Sequence, residues 1–232
     1  MIEIIEAAKL ALSMIVKLDA DLFHIVAVSL SVSLSAVAIA SVFGVPFGAA
    51  LAVLRFRGRR AIVVILNALL GLPPVVVGLV VYLSLSRAGP LGALGLLFTP
   101  QAMVVAQAIL ASPIVIVLTQ RAIAEPWALY GDALMVDGSS RLRAIPELLA
   151  MSPAGLVTAF LAGFGRTIAE VGAIIIVGGN ISGVTRTMTT AIVLETSKGN
   201  LPLALALGPI LIGLSIAISA IAFLLTHRQE AS

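Results

Sequence analysis

The chain has 232 residues, is 60% hydrophobic and 11% charged, and has a mean hydropathy of +1.18, far from the composition of a soluble globular domain. Its net charge of +3 does not indicate nucleic acid, because the basic residues fall in short loops between apolar runs, where the positive-inside rule accounts for them. The absence of cysteine excludes thiol chemistry and disulfides, and His24 and His227 have no second ligand type nearby in sequence, so no metal site is expected.

Repeated apolar runs of spanning length predict an all-α integral membrane protein of about five transmembrane helices, with the lipid bilayer as a constant partner. Residues 1–21 are a lead-in. From 2 to 18, acids and lysines alternate with Ile, Leu and Met at helical spacing, which predicts an amphipathic helix on the membrane surface. Glu3 and Glu6 stand where a secretory signal would be basic, and no small-residue cleavage site follows, so no segment is expected to be removed. The transmembrane domain occupies 22–225. In its first span, 22–54, Ser29, Ser31, Ser33 and Ser35 can bond to their own helix backbone and do not forbid a crossing. Arg55, Arg57, Arg59 and Arg60 follow at once, four arginines in six residues, and place that loop in the cytoplasm.

The second span, 61–85, contains Asn67 and the run Gly71-Leu72-Pro73-Pro74. Consecutive prolines remove two backbone donors, so this helix should kink or break near its middle, either to line a pathway or to satisfy packing. The linker 86–100, rich in Gly and Pro, carries only Arg87 and fits an external loop. The third span, 103–123, should contain another break at Ser112-Pro113, and it ends in Gln120 and Arg121. Residues 125–153 are too polar to cross and too long for a tight turn. A fourth span, 155–177, a polar external segment to Pro202, a fifth span, 203–225, and a cytoplasmic tail, 226–232, complete the chain. With the N-terminus outside and the C-terminus in the cytoplasm, the inner loops collect Arg55, Arg57, Arg59, Arg60, Arg121, Arg141, Arg143 and Arg228, against Lys9, Lys17, Arg87, Arg186 and Lys198 outside.

Within the inner polar stretch, Ala133 to Val136 favours helix, Gly138 allows a sharp reversal, and Ser139 or Ser140 can cap a second short helix. The expectation is a helical hairpin across the membrane surface. The order Asp132-Ala133-Leu134, then Asp137-Gly138-Ser139, resembles the coupling motif of binding-protein-dependent ABC importer permeases, a Glu-Ala-Ala stretch followed by Asp-Gly-Ala. Asp132 stands for the glutamate, Leu134 and Ser139 for alanines, and Ser152-Pro153 is the nearest counterpart of the family's terminal Leu-Pro. The resemblance implies that Asp132, Ala133, Asp137, Gly138 and Ser139 dock into an ATPase subunit and transmit its closure.

The fourth span holds Gly165-Arg166-Thr167-Ile168-Ala169-Glu170-Val171-Gly172-Ala173. An ionised Arg near mid-bilayer costs about 2.5 kcal/mol or more and usually faces a bundle interior. Glu170, one helical turn on, can neutralise it, and Gly165, Ala169 and Ala173 form a small-residue ridge suited to close helix contact. Packing and pathway readings are both compatible with these residues. Together with Val177-Gly178-Gly179-Asn180-Ile181 and the double proline before Val75, the segment is similar to the permeases of sulfate, molybdate and tungstate importers, most of all the tungstate-type branch.

That resemblance spans roughly 22–225 and implies the type I ABC importer permease fold. It also implies a second copy of this chain completing the pathway, two ATP-binding subunits beneath, and an extracytoplasmic oxyanion-binding protein. Arg166, Glu170, Asn180, Pro73, Pro74 and Ser112 are the candidate pathway residues, with Glu170 positioning Arg166. The chain has no Gly-x-x-x-x-Gly-Lys-Ser/Thr loop, so ATP and Mg are left to the partner ATPase, and no cofactor bound by this chain is expected. Thr185, Arg186, Thr187, Thr189, Thr190, Glu195 and Lys198 lie in the external segment, where a short helix over 187–196 resembles the surface against which a binding protein docks, its polar residues simply solvated. Two rival readings remain: a stand-alone transporter or channel using Glu170 as a proton-linked site, and a scaffold with no transport.

Overall fold

The computed structural model describes residues 9, 12–13, 16–17, 20–136 and 138–230. The amphipathic lead-in therefore lies largely outside the described residues, as does Asp137. The elements are α1 (Ala20–Val53), α2 (Arg59–Leu69), α3 (Pro74–Leu85), a 3-10 turn (Gly92–Leu94), α4 (Pro100–Val136), α5 (Ile145–Ala150), α6 (Pro153–Ile168), α7 (Gly172–Gly178), α8 (Met188–Ser197) and α9 (Leu201–Glu230). Among the described residues, three helices are long and apolar enough to cross a membrane, α1, α4 and the Leu201–Ala222 part of α9; counting the broken pairs α2 with α3 and α6 with α7 as one span each raises the number to five. The apolar side chains of α9, among them Ile212, Ile216 and Ile221, are exposed, which suits a lipid-facing helix.

The double proline breaks the second span as expected. α2 stops at Leu69, and Pro73 and Pro74 become the N-cap and first residue of α3, where a missing N–H costs nothing. The break expected at Ser112-Pro113 does not occur. α4 continues through Pro113, and the Ser112 hydroxyl donates to the Ala108 carbonyl at 2.6 Å while Ala111 and Val115 on either side are fully buried, so packing holds the helix across the missing donor. At 37 residues α4 is about 55 Å long, well beyond an apolar core of roughly 30 Å, so its last turns carry the start of the polar stretch.

The chain divides into two compact units. The first comprises Met1–Ser35, Pro73–Gln107 and Ile168–Ile218. In it α3 packs on α7 at a point where a Cβ on Gly78 would lie 2.8 Å from the Ala173 Cα, so glycine is what lets the two backbones meet. Phe98 follows the 3-10 turn, donates its N–H to the Val177 carbonyl at 2.9 Å and meets Tyr82 edge-on. Ser29 of α1 accepts the N–H of Met188, the first residue of α8, at 2.7 Å.

The second unit comprises Ala36–Leu72, Ala108–Thr167 and Ser219–Ser232. Here α1 and α4 approach closely along Gly44 and Gly48, where a Cβ on Gly48 would lie 2.5 Å from the Ile116 carbonyl oxygen. Gly163 of α6 fits against Val37 and Val115 in the same way. A buried cluster of Ala49, Ala52, Val53, Ile123, Ala144 and Leu148 closes this unit around the end of α1. The loops that the arginine count assigns to the cytoplasm all belong to this unit, and those assigned outside all belong to the first.

Candidate functional site

The polar stretch begins on a helix that the sequence reading ends too early. Asp132 and Ala133 are exposed on the last turns of α4. Gly138 then stops the helix: its φ is +85°, its N–H donates to the Met135 carbonyl at 3.1 Å, and the next N–H, of Ser139, donates to the Leu134 carbonyl at 3.0 Å. That pair of bonds is a Schellman stop, which a left-handed glycine makes favourable. Neither Ser139 nor Ser140 caps the following helix, contrary to expectation. The N-cap of α5 is Ala144 without a side-chain bond, and the Ser140 hydroxyl instead accepts the Arg143 N–H at 3.4 Å. The short helix is held by packing, since Ala144 and Leu148 are fully buried against the end of α1.

Two residues that sequence reasoning treated only as positive charge have defined partners here. Arg59 donates from Nε to the Leu51 carbonyl at 2.6 Å, and Arg141 donates from Nη1 to the Val53 carbonyl at 3.0 Å. Both carbonyls lie in the last turn of α1, where the helix dipole favours a cation. The Arg141 guanidinium also lies 5.8 Å from the ring centroid of Trp127, the chain's single tryptophan. That ring lies back along α4 over Gly131, where a Cβ would come within 2.9 Å of it. A lone tryptophan near a basic loop was the available signal. Nearby, a groove of about 400 Å³ opens between α4 and the start of α6, lined by Glu125, Leu129, Tyr130, Met151 and Ser152 among others.

The second constellation is split by a break. Arg166 is half-buried in the last turn of α6, whereas Glu170 lies beyond the helix end in the connection to α7, so the two do not share a continuous helix turn as expected. The small-residue ridge is interrupted with it. Gly165 and Ala169 are exposed, and only Ala173 is in close helix contact, with Gly78. Glu170 is buried, 4% exposed, and its Oε1 accepts the Ala173 N–H at 3.3 Å, supplying the cap that Val171 lacks at the start of α7. Its backbone carbonyl accepts the Thr189 hydroxyl at 2.8 Å. Gly172 lies between Glu170 and Val75, so the carboxylate and the Pro73-Pro74 end of α3 come together within the first unit. Arg166 and Ser112 belong to the second unit.

Gly179 and Asn180 end α7, both with positive φ, +70° and +50°. Only glycine and asparagine adopt that region readily, which explains the pair. The Asn180 amide donates to the Thr190 carbonyl at 3.4 Å, and its Oδ1 is buried with no donor among the described residues. The external helix forms as predicted, over Met188–Ser197, but its polar residues are not simply solvated. Thr185, Thr187, Thr189, Thr190 and Glu195 are buried. Thr187 and Thr190 form a capping box, and Thr185 accepts the Ile181 N–H at 2.9 Å while donating to the Gly178 carbonyl. Glu195 accepts from Asn200 at 2.7 Å and from Lys198 at 3.1 Å; the Asn200 amide first, then the Lys198 ammonium, hold its carboxyl below the usual range.

No family model matches the chain. It is 42% identical over 205 residues to a protein of Haloferax volcanii described as a probable anion ABC transporter permease, covering 86% of this chain and 88% of that protein. The chain belongs to the ABC transporter permease family. A tungstate uptake system permease of Peptoclostridium acidaminophilum is 38% identical over 225 residues, 97% of this permease and 99% of that protein. Another of the same description, from Campylobacter jejuni, is 38% identical over 175 residues, covering 75% of the chain and 72% of that protein. The permease is accordingly a multi-pass membrane protein and a transport subunit.

Proposed function

We propose that the permease is the membrane subunit of an ATP-driven importer of a tetrahedral oxyanion, with tungstate as cargo. The observation that carries this is its similarity, along nearly its whole length, to a tungstate uptake permease. Two copies would form the pathway, an external binding protein would deliver the anion, and two ATP-binding subunits would supply ATP and Mg chemistry from the cytoplasm. We place the N-terminus outside and the C-terminus inside, a reading the arginine distribution supports. Asp132, Ala133, Asp137, Gly138 and Ser139 form the surface that the ATP-binding subunit engages. Exposure of Asp132, Ala133 and Gly138 at the tip of a well-packed stretch supports that reading.

Arg166 and Asn180 lie along the anion route, with the Pro73-Pro74 break and Ser112 contributing to it, and Glu170 helps keep Arg166 from trapping the anion. A stand-alone proton-coupled transporter has less support, because the Glu170 carboxylate serves as a backbone acceptor at the α7 cap. Gentle extraction of tagged permease should bring down a subunit bearing a phosphate-binding loop. Calorimetry on the cognate external binding protein should rank tungstate above molybdate and sulfate. A permease that purifies alone, or a binding protein that prefers sulfate, would contradict the corresponding part.

A further inference from the structure

Among the described residues of 138–150, one side chain reaches another element through a hydrogen bond, and it is Arg141. Its guanidinium has two partners: Nη1 donates to the Val53 carbonyl of α1, and Cζ lies over the Trp127 ring of α4, 5.8 Å from its centroid. A guanidinium that lies over an aromatic ring while donating to a helix-end carbonyl is an arrangement lysine does not reproduce. Ala144 and Leu148 follow within two turns and are fully buried against Ala49, Ala52 and Val53, so the stretch abuts the end of α1 rather than hanging free.

We propose that Arg141 is a positioning residue for coupling: held between Val53 and Trp127, it passes displacement of the polar stretch to the end of α1. The inference rests on the importer reading and deepens it. Packing of Ala144 and Leu148 gives the stretch its place, but apolar contacts slide, whereas a charge-assisted bond to one named carbonyl fixes the register in which α1 follows. Loss of the clasp leaves the stretch seated and able to engage the ATP-binding subunit, while less of its motion reaches α1.

The test uses the whole complex, permease with its ATP-binding subunits and binding protein, in proteoliposomes, comparing wild type with Arg141→Met, which keeps the stem without the donors, and Arg141→Lys. Anion carried per ATP hydrolysed should fall by at least about fivefold in Arg141→Met, the low end of ordinary coupling energies, with Arg141→Lys intermediate. In the purified permease alone, the emission of the single tryptophan should shift in Arg141→Met. A residue that only aids folding would lower the amount of complex and leave the ratio intact, and an unchanged ratio overturns the proposal. If Arg141→Met does not assemble, an unchanged ratio in Arg141→Lys does the same. If the wild-type complex shows no ATP-dependent uptake of tungstate, molybdate or sulfate, the importer reading falls and takes this role with it.

Discussion

Glu170 shows how a helix break can give a charge in an apolar span a second task. In sequence it stands four residues from Arg166, a spacing that implies a pair on one helix; in the fold the helix ends between them, and the carboxylate caps α7. Glu170→Gln keeps an oxygen for the Ala173 N–H and should leave the apparent Tm in detergent close to wild type. Glu170→Ala strands that buried donor and should cost about 1–2 kcal/mol, seen as a lower Tm. Equal loss in both variants would refute the cap. Glu195 was read as a solvated residue, yet its carboxyl is buried and held below the ordinary 4.5 by Asn200 and Lys198. A folded value below the unfolded one means that its contribution to stability is fully present above 4.5 and is lost as pH falls through the lower folded value. Asn200→Ala removes the largest cause of the shift, so the acid limb of the Tm against pH curve should move upward toward 4.5. An unmoved limb would show that the amide does not hold the carboxyl.

At the scale of elements, the sequence predicted best where backbone chemistry is local. Pro73 and Pro74 end one helix and start another because proline cannot donate, and Gly138 reverses the chain because its φ is positive. The third-span break failed because the packing of Ala111, Val115 and Gly44 outweighs one missing donor at Pro113. The α6–α7 break was missed for the opposite reason: no proline marks it, and its causes, the Glu170 cap and the Thr189 bond to the Glu170 carbonyl, join residues 19 apart or depend on a helix start invisible in composition. The small-residue ridge was assigned to Gly165, Ala169 and Ala173, and of these Ala173 makes a close approach, to a Gly78 that the pattern did not include. Gly78→Val should drive α3 from α7, since even a Cβ meets backbone at 2.8 Å. A fall of about 2 kcal/mol or more is expected from overpacking, with Gly165→Ala, which meets nothing within 4 Å, as the mild control. Equal effects would contradict the assigned contact.

For the whole molecule, membrane class and up to five spans were legible because hydropathy is a one-dimensional signal. The division into two units was not, because it cuts all five predicted spans and groups residues far apart in sequence. Nor were the arginine clasps at the end of α1, since a count of charges does not say which carbonyl each meets. Topology has a direct test: the chain has no cysteine, so single cysteines at Arg57 and Lys198 can be labelled without background. In right-side-out vesicles an impermeant maleimide should label position 198 and spare 57, and the reverse pattern would invert the proposed orientation.

The central claim, that this chain carries tungstate inward at the expense of ATP, is tested most directly by uptake into proteoliposomes holding the complete complex, measured as tungsten per vesicle by mass spectrometry. The account predicts accumulation that requires enclosed ATP and Mg, requires the external binding protein, and withstands excess sulfate. Uptake that proceeds without ATP, or that sulfate abolishes, would contradict it.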